Sequence, residues 1–285
     1  MRLLVAVNAR ARKGADARGV LDALRRAGCD ADAAPPDAEQ LAARAAADGG
    51  FAGIVVAGGD GTLISTVPAL LKTSLPLGII PLGTFNDLAR TLGIPLDVDQ
   101  AARIVAAGTT RAIDVGRVNG FYFFNEASIG LATRIARRQT PELKRRYGVL
   151  AIVGTTLLAL RYGRRFHATV RFDGTAERMK PIQLTIANSG HFGGLITNPH
   201  ATLDDGRLDL YSFEPKDLRD ALRLVPKLLH REIAEMPGLR LRRATRFVVE
   251  TRHPHHVFTD GEPACKTPAT FEVLPAAVRV FVPRS

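Results

Sequence analysis

A single carboxylate stands inside a run of glycines in this chain. Val55-Val56-Ala57-Gly58-Gly59-Asp60-Gly61-Thr62 is an apolar strand that empties into a glycine turn carrying Asp60. Glycines at such a point let backbone N–H groups close on a phosphate, where any Cβ would obstruct. A helix starting near Thr62 would add the positive end of its dipole. Asp60 repels a phosphate, so its presence makes chemical sense if a cation such as Mg²⁺ lies between the two. The same residues also fit a plain strand-to-helix turn with a capping Asp, and this segment alone leaves both readings open.

A second segment repeats the design. Leu77-Gly78-Ile79-Ile80-Pro81-Leu82-Gly83-Thr84-Phe85-Asn86-Asp87 runs from apolar strand through glycine to Thr, Asn and Asp, where a helix should begin. Both sets of polar residues fall at the carboxyl ends of strands, the edge at which open α/β sheets bind ligands. Near the C-terminus, Phe258-Thr259-Asp260-Gly261-Glu262-Pro263 sets two carboxylates around a turn glycine. Taken singly, Asp-Gly is the usual tip of a solvated hairpin. His253, His255 and His256 invite a zinc reading, yet they lack regular His/Cys spacing, and a turn before a strand is the simpler account.

The elements that must position these groups are legible in outline. Strands expected over 3–7, 54–57 and 77–81 alternate with helices over 16–27, 38–47, 62–72, 86–92 and 99–107. That alternation implies a parallel, doubly wound sheet. Past 111 the texture changes. Segments 115–126, 166–172, 183–188, 207–213, 246–250 and 270–282 read as strands with Gly, Asn or Pro turns, a mostly antiparallel β domain. The expected fold is therefore α/β followed by β, with domains at 1–113 and 114–276, and the last strand, about 277–285, a candidate to return to the first. Two helical segments interrupt the β region, an uncharged one over 148–160 and one over 217–233 that Pro226 would kink. Core packing is the favoured reading of both, ahead of contact with a lipid headgroup layer.

Composition narrows the partners. The 285 residues are 46% hydrophobic, enough for a sizeable core, and carry two cysteines, too few for a disulfide framework. A reducing cytosol is the expected compartment. No stretch approaches the ~20 apolar residues that span a bilayer, and 3–7 is too short for a signal segment. A net charge of +11, from 39 Lys+Arg against 28 Asp+Glu, suits anionic lipid surfaces, nucleic acid or nucleotide phosphates. Arginines concentrate at 134–146, 161–165 and 240–246. With 6% aromatics, no Trp and no groove-entering module, nucleic acid is not the expected partner.

Taken together and in this order, the segments resemble the diacylglycerol kinase catalytic domain family, which includes soluble bacterial lipid kinases and the sphingosine and ceramide kinases. Gly58 to Thr62 looks like its GGDGT loop, and Pro81 to Asp87 like its PLGTxND segment. Ile113-Asp114-Val115-Gly116 and Asn125-Glu126-Ala127-Ser128-Ile129-Gly130 are similar to the segment that leads into its second domain. Asn188-Ser189-Gly190, Phe192-Gly193-Gly194 and Leu203-Asp204-Asp205-Gly206-Arg207-Leu208-Asp209 resemble its NGxxxGGG and DDGxLD stretches, and Asp260-Gly261-Glu262-Pro263 its DGE. Three differences stand out. Ala9 to Gly14 lack the Pro and Ser of the usual opening, Ile64 stands where many relatives have Asn, and Ser189 and Leu195 replace two glycines.

The resemblance implies an NAD kinase-like and phosphofructokinase-like nucleotide domain, a C-terminal β-sandwich, and an active site in the cleft between the two. It implies ATP held by Gly58, Gly59, Asp60, Gly61, Thr62 and Thr84, with Asn8 beside them, and Mg²⁺ organised by Asp60, Asp87 and Asp114. Glu262 is the expected general base for a lipid hydroxyl, with Asp60 the rival. Asp205, with carbonyls near Thr202 and Arg207, resembles a structural Mg²⁺ site, while a turn with Asx capping is the local alternative. The implied partner is a lipid substrate at an anionic membrane surface, reached by a cytoplasmic protein that associates transiently, and a homodimer is one candidate assembly. An NAD kinase-like activity, or a non-catalytic lipid-binding role on the same fold, are the competing functions.

Overall fold

A computed structural model describes residues 1–8, 17–130, 164–189, 191–192, 196–197, 202–215 and 238–284. The chain divides into two compact units, Met1–Val115 with Pro275–Ser285, and Gly116–Leu274. The helical segments expected over 148–160 and 217–233 lie outside the described residues.

In the first unit, β1 (Arg2–Val7), β2 (Asp30–Ala34), β3 (Gly53–Gly58) and β4 (Leu77–Pro81) are parallel, in the order β2-β1-β3-β4. Val280 of the last strand (Ala269–Phe281) joins beside Leu77, also parallel. Leu3, Leu4, Val5, Ile54, Val55, Val56, Leu77 and Ile80 have no exposed surface. Unbroken apolar runs of this kind are what a sheet covered on both faces requires.

The cover comes from α1 (Ala17–Arg26), α2 (Ala38–Asp48), α3 (Asp60–Thr73), α4 (Asp87–Thr91) and α5 (Val98–Ala107). Helix α1 packs with α5, and α2 with α3. The steps from β1 to β2 and from β2 to β3 run in opposite directions along the sheet, so right-handed crossovers put α1 and α2 on opposite faces. Strand order thus reverses between β1 and β3, and the carboxyl ends of those two strands border the topological switch point.

The second unit begins within β5 (Thr110–Val118). The sequence suggests one strand over 115–126, but the chain turns back at Asn119 (φ 44°) and Gly120 (φ 90°). A short antiparallel hairpin results, pairing β5 with β6 (Phe121–Phe123). Both turn residues are left-handed, the conformation that Asn-Gly adopts at little cost. Asn119 then binds the last strand, donating to the Pro268 carbonyl at 3.0 Å and accepting from the Thr270 amide at 2.9 Å.

Beyond it come β7 (Glu126–Gly130), β8 (Ala168–Phe172), β9 (Thr175–Met179), β10 (Gln183–Ala187), the short pair β11 (His191–Phe192) and β12 (Ile196–Thr197), and β13 (Leu208–Phe213). They are followed by β14 (Leu239–Ala244), β15 (Arg246–Thr251), β16 (His256–Thr259), β17 (Glu262–Lys266) and the last strand, β18. Six of these form an antiparallel sheet ordered β14-β13-β10-β7-β16-β17. Strands β9, β8, β15 and the first half of β18 pair antiparallel beside one another. Ile129, Leu184, Ile186 and Leu210 from the six-stranded sheet share one buried core with Val170, Phe247, Val249 and Phe271 from the other layer. Two antiparallel layers enclosing one core make a β-sandwich.

Candidate functional site

The switch point is where the polar residues of the first unit gather. Asn8, the residue after β1, donates its backbone N–H to the Ala57 carbonyl at 3.0 Å and its Nδ2 to Thr62 Oγ1 at 2.8 Å. The side-chain bond ties the end of β1 to the first turn of α3. Gly58 closes β3, and its carbonyl accepts from the Leu82 amide at 2.9 Å. Gly59 is the N-cap of α3, so no side chain satisfies the amides of that first turn. Its carbonyl takes the Thr62 and Leu63 amides at 2.9 and 3.1 Å. The free N–H groups of an uncapped helix start present partial positive charge to whatever lies beyond them.

Gly83, on the loop after β4, presses against Gly59. A Cβ on Gly59 would lie 3.0 Å from the Gly83 Cα, and one on Gly83 only 2.5 Å from the Gly59 Cα. The second loop is braced from within by Asn86, which is 2% exposed and left-handed at φ 52°. Its Oδ1 accepts from the Gly83 amide and its Nδ2 donates to the Gly83 carbonyl, both at 2.9 Å. This pair of hydrogen bonds closes the loop around Thr84 and Phe85, both exposed. Asp87 then opens α4, partly buried.

Asp60 joins the two loops. Its Oδ1 accepts from the Leu88 amide at 3.3 Å, so it caps the neighbouring helix rather than its own. A capping role was one of the two readings the local pattern left open; the amide that Asp60 meets lies 28 residues away. Asn8, Gly58, Gly59, Asp60, Thr62 and Gly83 are therefore one connected cluster, with Thr84, Asn86 and Asp87 on its second loop and Gly61 exposed at its surface. Asp114 has a different contact. It is 2% exposed, and its Oδ1 accepts from the Ala276 amide at 2.7 Å, where β18 breaks to φ 49°.

In the second unit, Asp260 and Gly261 form the two-residue link between β16 and β17, with φ 44° and 87°. The Asp260 carboxylate is the acceptor for three consecutive backbone amides. Its Oδ2 takes Phe124 at 2.9 Å, and its Oδ1 takes Asn125 and Glu126 at 3.0 and 2.9 Å. The Asp260 amide in turn donates to the Glu126 carbonyl at 2.9 Å. From the other side, Asn188 donates Nδ2 to the Phe124 carbonyl at 3.0 Å and its amide to the Asn125 carbonyl at 2.8 Å. Ser189 has no exposed surface, and its hydroxyl lies 3.4 Å from Asn125 Oδ1, so the hydroxyl that replaces a glycine finds a partner indoors.

Three segments that the sequence offered as separate motifs thus form one buried polar network. The anchoring role of Asp260 was missed in the sequence, because its three donors lie about 135 residues upstream. Glu262 follows directly as the first residue of β17 and is exposed.

The Asp205 turn shows the Asx capping that was the local alternative to a Mg²⁺ site. Thr202 and Arg207 meet the carboxylate with amide N–H groups, at 3.4 and 2.9 Å. Arg243 donates its Nη2 to Asp205 Oδ2 as well. Nor does the histidine segment gather as a metal site: the His255 ring hydrogen-bonds the His253 carbonyl at 2.6 Å and lies 4.5 Å from the Phe166 ring. Among the described residues no three His, Cys, Asp or Glu side chains come together to hold an ion.

The arginines of 240–246 are largely committed to carboxylates. Arg240 pairs with Glu214, Arg242 with both oxygens of Glu177, and Arg246 with Glu272. The Glu177 hydrogen bonds raise the Arg242 pKa, and burial pushes the Cys265 thiol up. The stretch 134–146 lies outside the described residues. Among those described, no helix is long and apolar enough to cross a membrane.

A parallel sheet with glycine loops at its switch point, followed in the chain by an antiparallel sandwich, is the architecture of the NAD kinase and diacylglycerol kinase class. Residues 2–118 match the family model described as the diacylglycerol kinase catalytic domain, and residues 126–282 match the YegS C-terminal NAD kinase beta sandwich-like domain. The chain belongs to the diacylglycerol kinase catalytic domain family.

A diacylglycerol kinase of Mycobacterium tuberculosis is 34% identical over 262 residues, 87% of this chain and 82% of that protein. A diacylglycerol kinase of Bacillus subtilis is 32% identical over 247 residues, 85% of this chain and 82% of its own. A solved diacylglycerol kinase structure from Bacillus anthracis str. Sterne superposes with a TM-score of 0.74 at 22% identity, covering 99% of this chain and 97% of that one. At that identity the likeness speaks for the fold alone.

Proposed function

We propose that this protein is an ATP-dependent lipid kinase that transfers the γ-phosphate to the hydroxyl of diacylglycerol or a similar lipid. Membership of a kinase family implies ATP as phosphate donor. The observation that carries the reading is the uncapped start of α3 at Gly59, locked against Gly83 and bridged to β1 through Asn8. In this reading the amides of Gly58 to Gly61 bind the phosphates. Because Thr62 Oγ1 already accepts from Asn8, its own O–H is left to donate to a phosphate oxygen. Thr84 adds a second hydroxyl from the facing loop.

The residues fit Mg²⁺. Asp60 uses Oδ1 for the Leu88 amide, which leaves Oδ2 to face a cation, and Asp87 opens the adjoining helix. A magnesium ion held with a triphosphate needs only one or two protein carboxylates. Bound there, it would neutralise charge on the transferring phosphoryl group. Asp114 is assigned to the same acidic set through water, its Oδ1 being engaged with Ala276.

Glu262 takes the proton of the lipid hydroxyl in this scheme. The two-residue turn anchored by Asp260 fixes where its strand begins. The net charge of +11 supports work at an anionic membrane surface. Transfer of label from γ-³²P-ATP into extracted lipid, with NAD as the competing acceptor, tests the reading. Label in lipid and none in NAD is expected; label in NAD alone, or in neither, defeats it.

A further inference from the structure

The acidic turn before β13 has a resident cation, and it is an arginine. Asp205 and Asp209 flank this turn, a pair of carboxylates that by type alone would suit a hard divalent ion. Residues Asp209 and Arg243 face one another in the register of β13 and β14. From that position Arg243 Nε reaches Asp209 Oδ1 at 3.5 Å, and Nη2 of the same guanidinium goes on to Asp205 Oδ2. The rest of the Asp205 carboxylate is taken by backbone: Oδ1 accepts from the Arg207 amide at 2.9 Å and Oδ2 from the Thr202 amide at 3.4 Å.

Among the described residues, the groups that hydrogen-bond Asp205 are two backbone amides and a guanidinium. A magnesium or calcium ion needs six or more oxygen ligands, and N–H dipoles present it with their positive ends. Entry of such an ion would also require expelling the guanidinium. That would cost Asp209, 5% exposed, its ion pair with Arg243. As they stand, the residues do not fit the structural Mg²⁺ that the family resemblance implies.

We propose that the Arg243 guanidinium replaces a structural divalent cation in this turn, making the fold of the second unit independent of metal. A planar guanidinium can serve two carboxylates at once through separate N–H groups, which an ammonium does less well. Stability and ion binding in the absence of nucleotide report on this turn whether or not the protein is a lipid kinase.

The test uses the purified full-length protein, stripped with EDTA. Thermal unfolding is followed with no metal and with Mg²⁺ or Ca²⁺ added, for the parent chain, Arg243→Ala and Arg243→Lys. The parent melting point is expected to stay unchanged by EDTA or by added ion. Arg243→Ala should melt lower and regain part of the loss on adding Mg²⁺ or Ca²⁺, with Arg243→Lys between the two. A site filled by an ion at a hundred times its Kd would raise the parent Tm on the order of 5 °C, and a rise of that size would overturn the proposal. Should Arg243→Ala fail to fold, Mn²⁺ binding decides. Equal stoichiometry in the parent chain and Asp205→Asn supports the proposal, and one ion fewer in Asp205→Asn overturns it.

Discussion

Gly59 and Gly83 meet backbone to backbone, and that contact couples the two glycine loops. A Cβ on Gly83 would fall 2.5 Å from the Gly59 Cα and 2.7 Å from Asn86 Oδ1. Neither neighbour is the loose end of a flexible side chain. Gly83→Ala must therefore part the loops or displace the Asn86 brace, at a cost of about 1–3 kcal/mol. Urea unfolding should register the loss, and the KM for ATP should rise more than the KM for lipid. An unchanged KM for ATP would mean that the loops do not share one ligand.

Glu262 and Asp60 compete for the role of base, and their surroundings separate them. Asp60 Oδ1 holds the Leu88 amide, so Asp60→Asn disturbs the phosphate loops as well as any proton transfer. Glu262 is exposed at the start of β17. Glu262→Gln is expected to lower kcat by about 10²–10⁴ while nucleotide binding, read by titration calorimetry, stays close to that of the parent. Substantial residual kcat in Glu262→Gln would return the role to Asp60.

Asp260 anchors rather than reacts. Its carboxylate satisfies the amides of Phe124, Asn125 and Glu126, of which Phe124 and Asn125 are buried. Asp260→Ala strands those donors, each costing about 1–3 kcal/mol if unsatisfied. Asp260→Asn keeps one acceptor oxygen and should lose less. The expected order of stability in denaturant is parent, then Asn, then Ala, with kcat falling in step and the KM for ATP little changed. If Ala and Asn proved equally stable to the parent, the three hydrogen bonds would carry no weight.

Much of the fold was legible because its signals are local. The apolar runs at Leu3, Ile54 and Leu77, separated by helix-length segments, announce parallel strands before any contact is known. The expected helix over 99–107 appears as α5, Val98–Ala107, where Asp97 accepts the Gln100 amide at 2.9 Å. Strand limits were less legible. The run 115–126 reads as continuous because Asn119-Gly120 is only a two-residue interruption in an apolar stretch. What turns the chain there is a pair of left-handed residues and their bonds to Pro268 and Thr270.

By itself the sequence determined the kinds of element and the chemical types available at their ends: glycines to admit a phosphate, carboxylates to hold a cation, and too little unbroken apolar length to span a bilayer as a helix. These follow from the steric and solvation properties of each residue with its near neighbours. Tertiary structure alone decided which partner each polar group received. Asp60 serves Leu88, Asp114 serves Ala276, Asp260 serves the amides of 124–126, and Asp205 meets the guanidinium of Arg243. Hydrogen bonds and ion pairs act within a few ångströms of space regardless of separation along the chain, so their partners are fixed only when folding brings distant segments together.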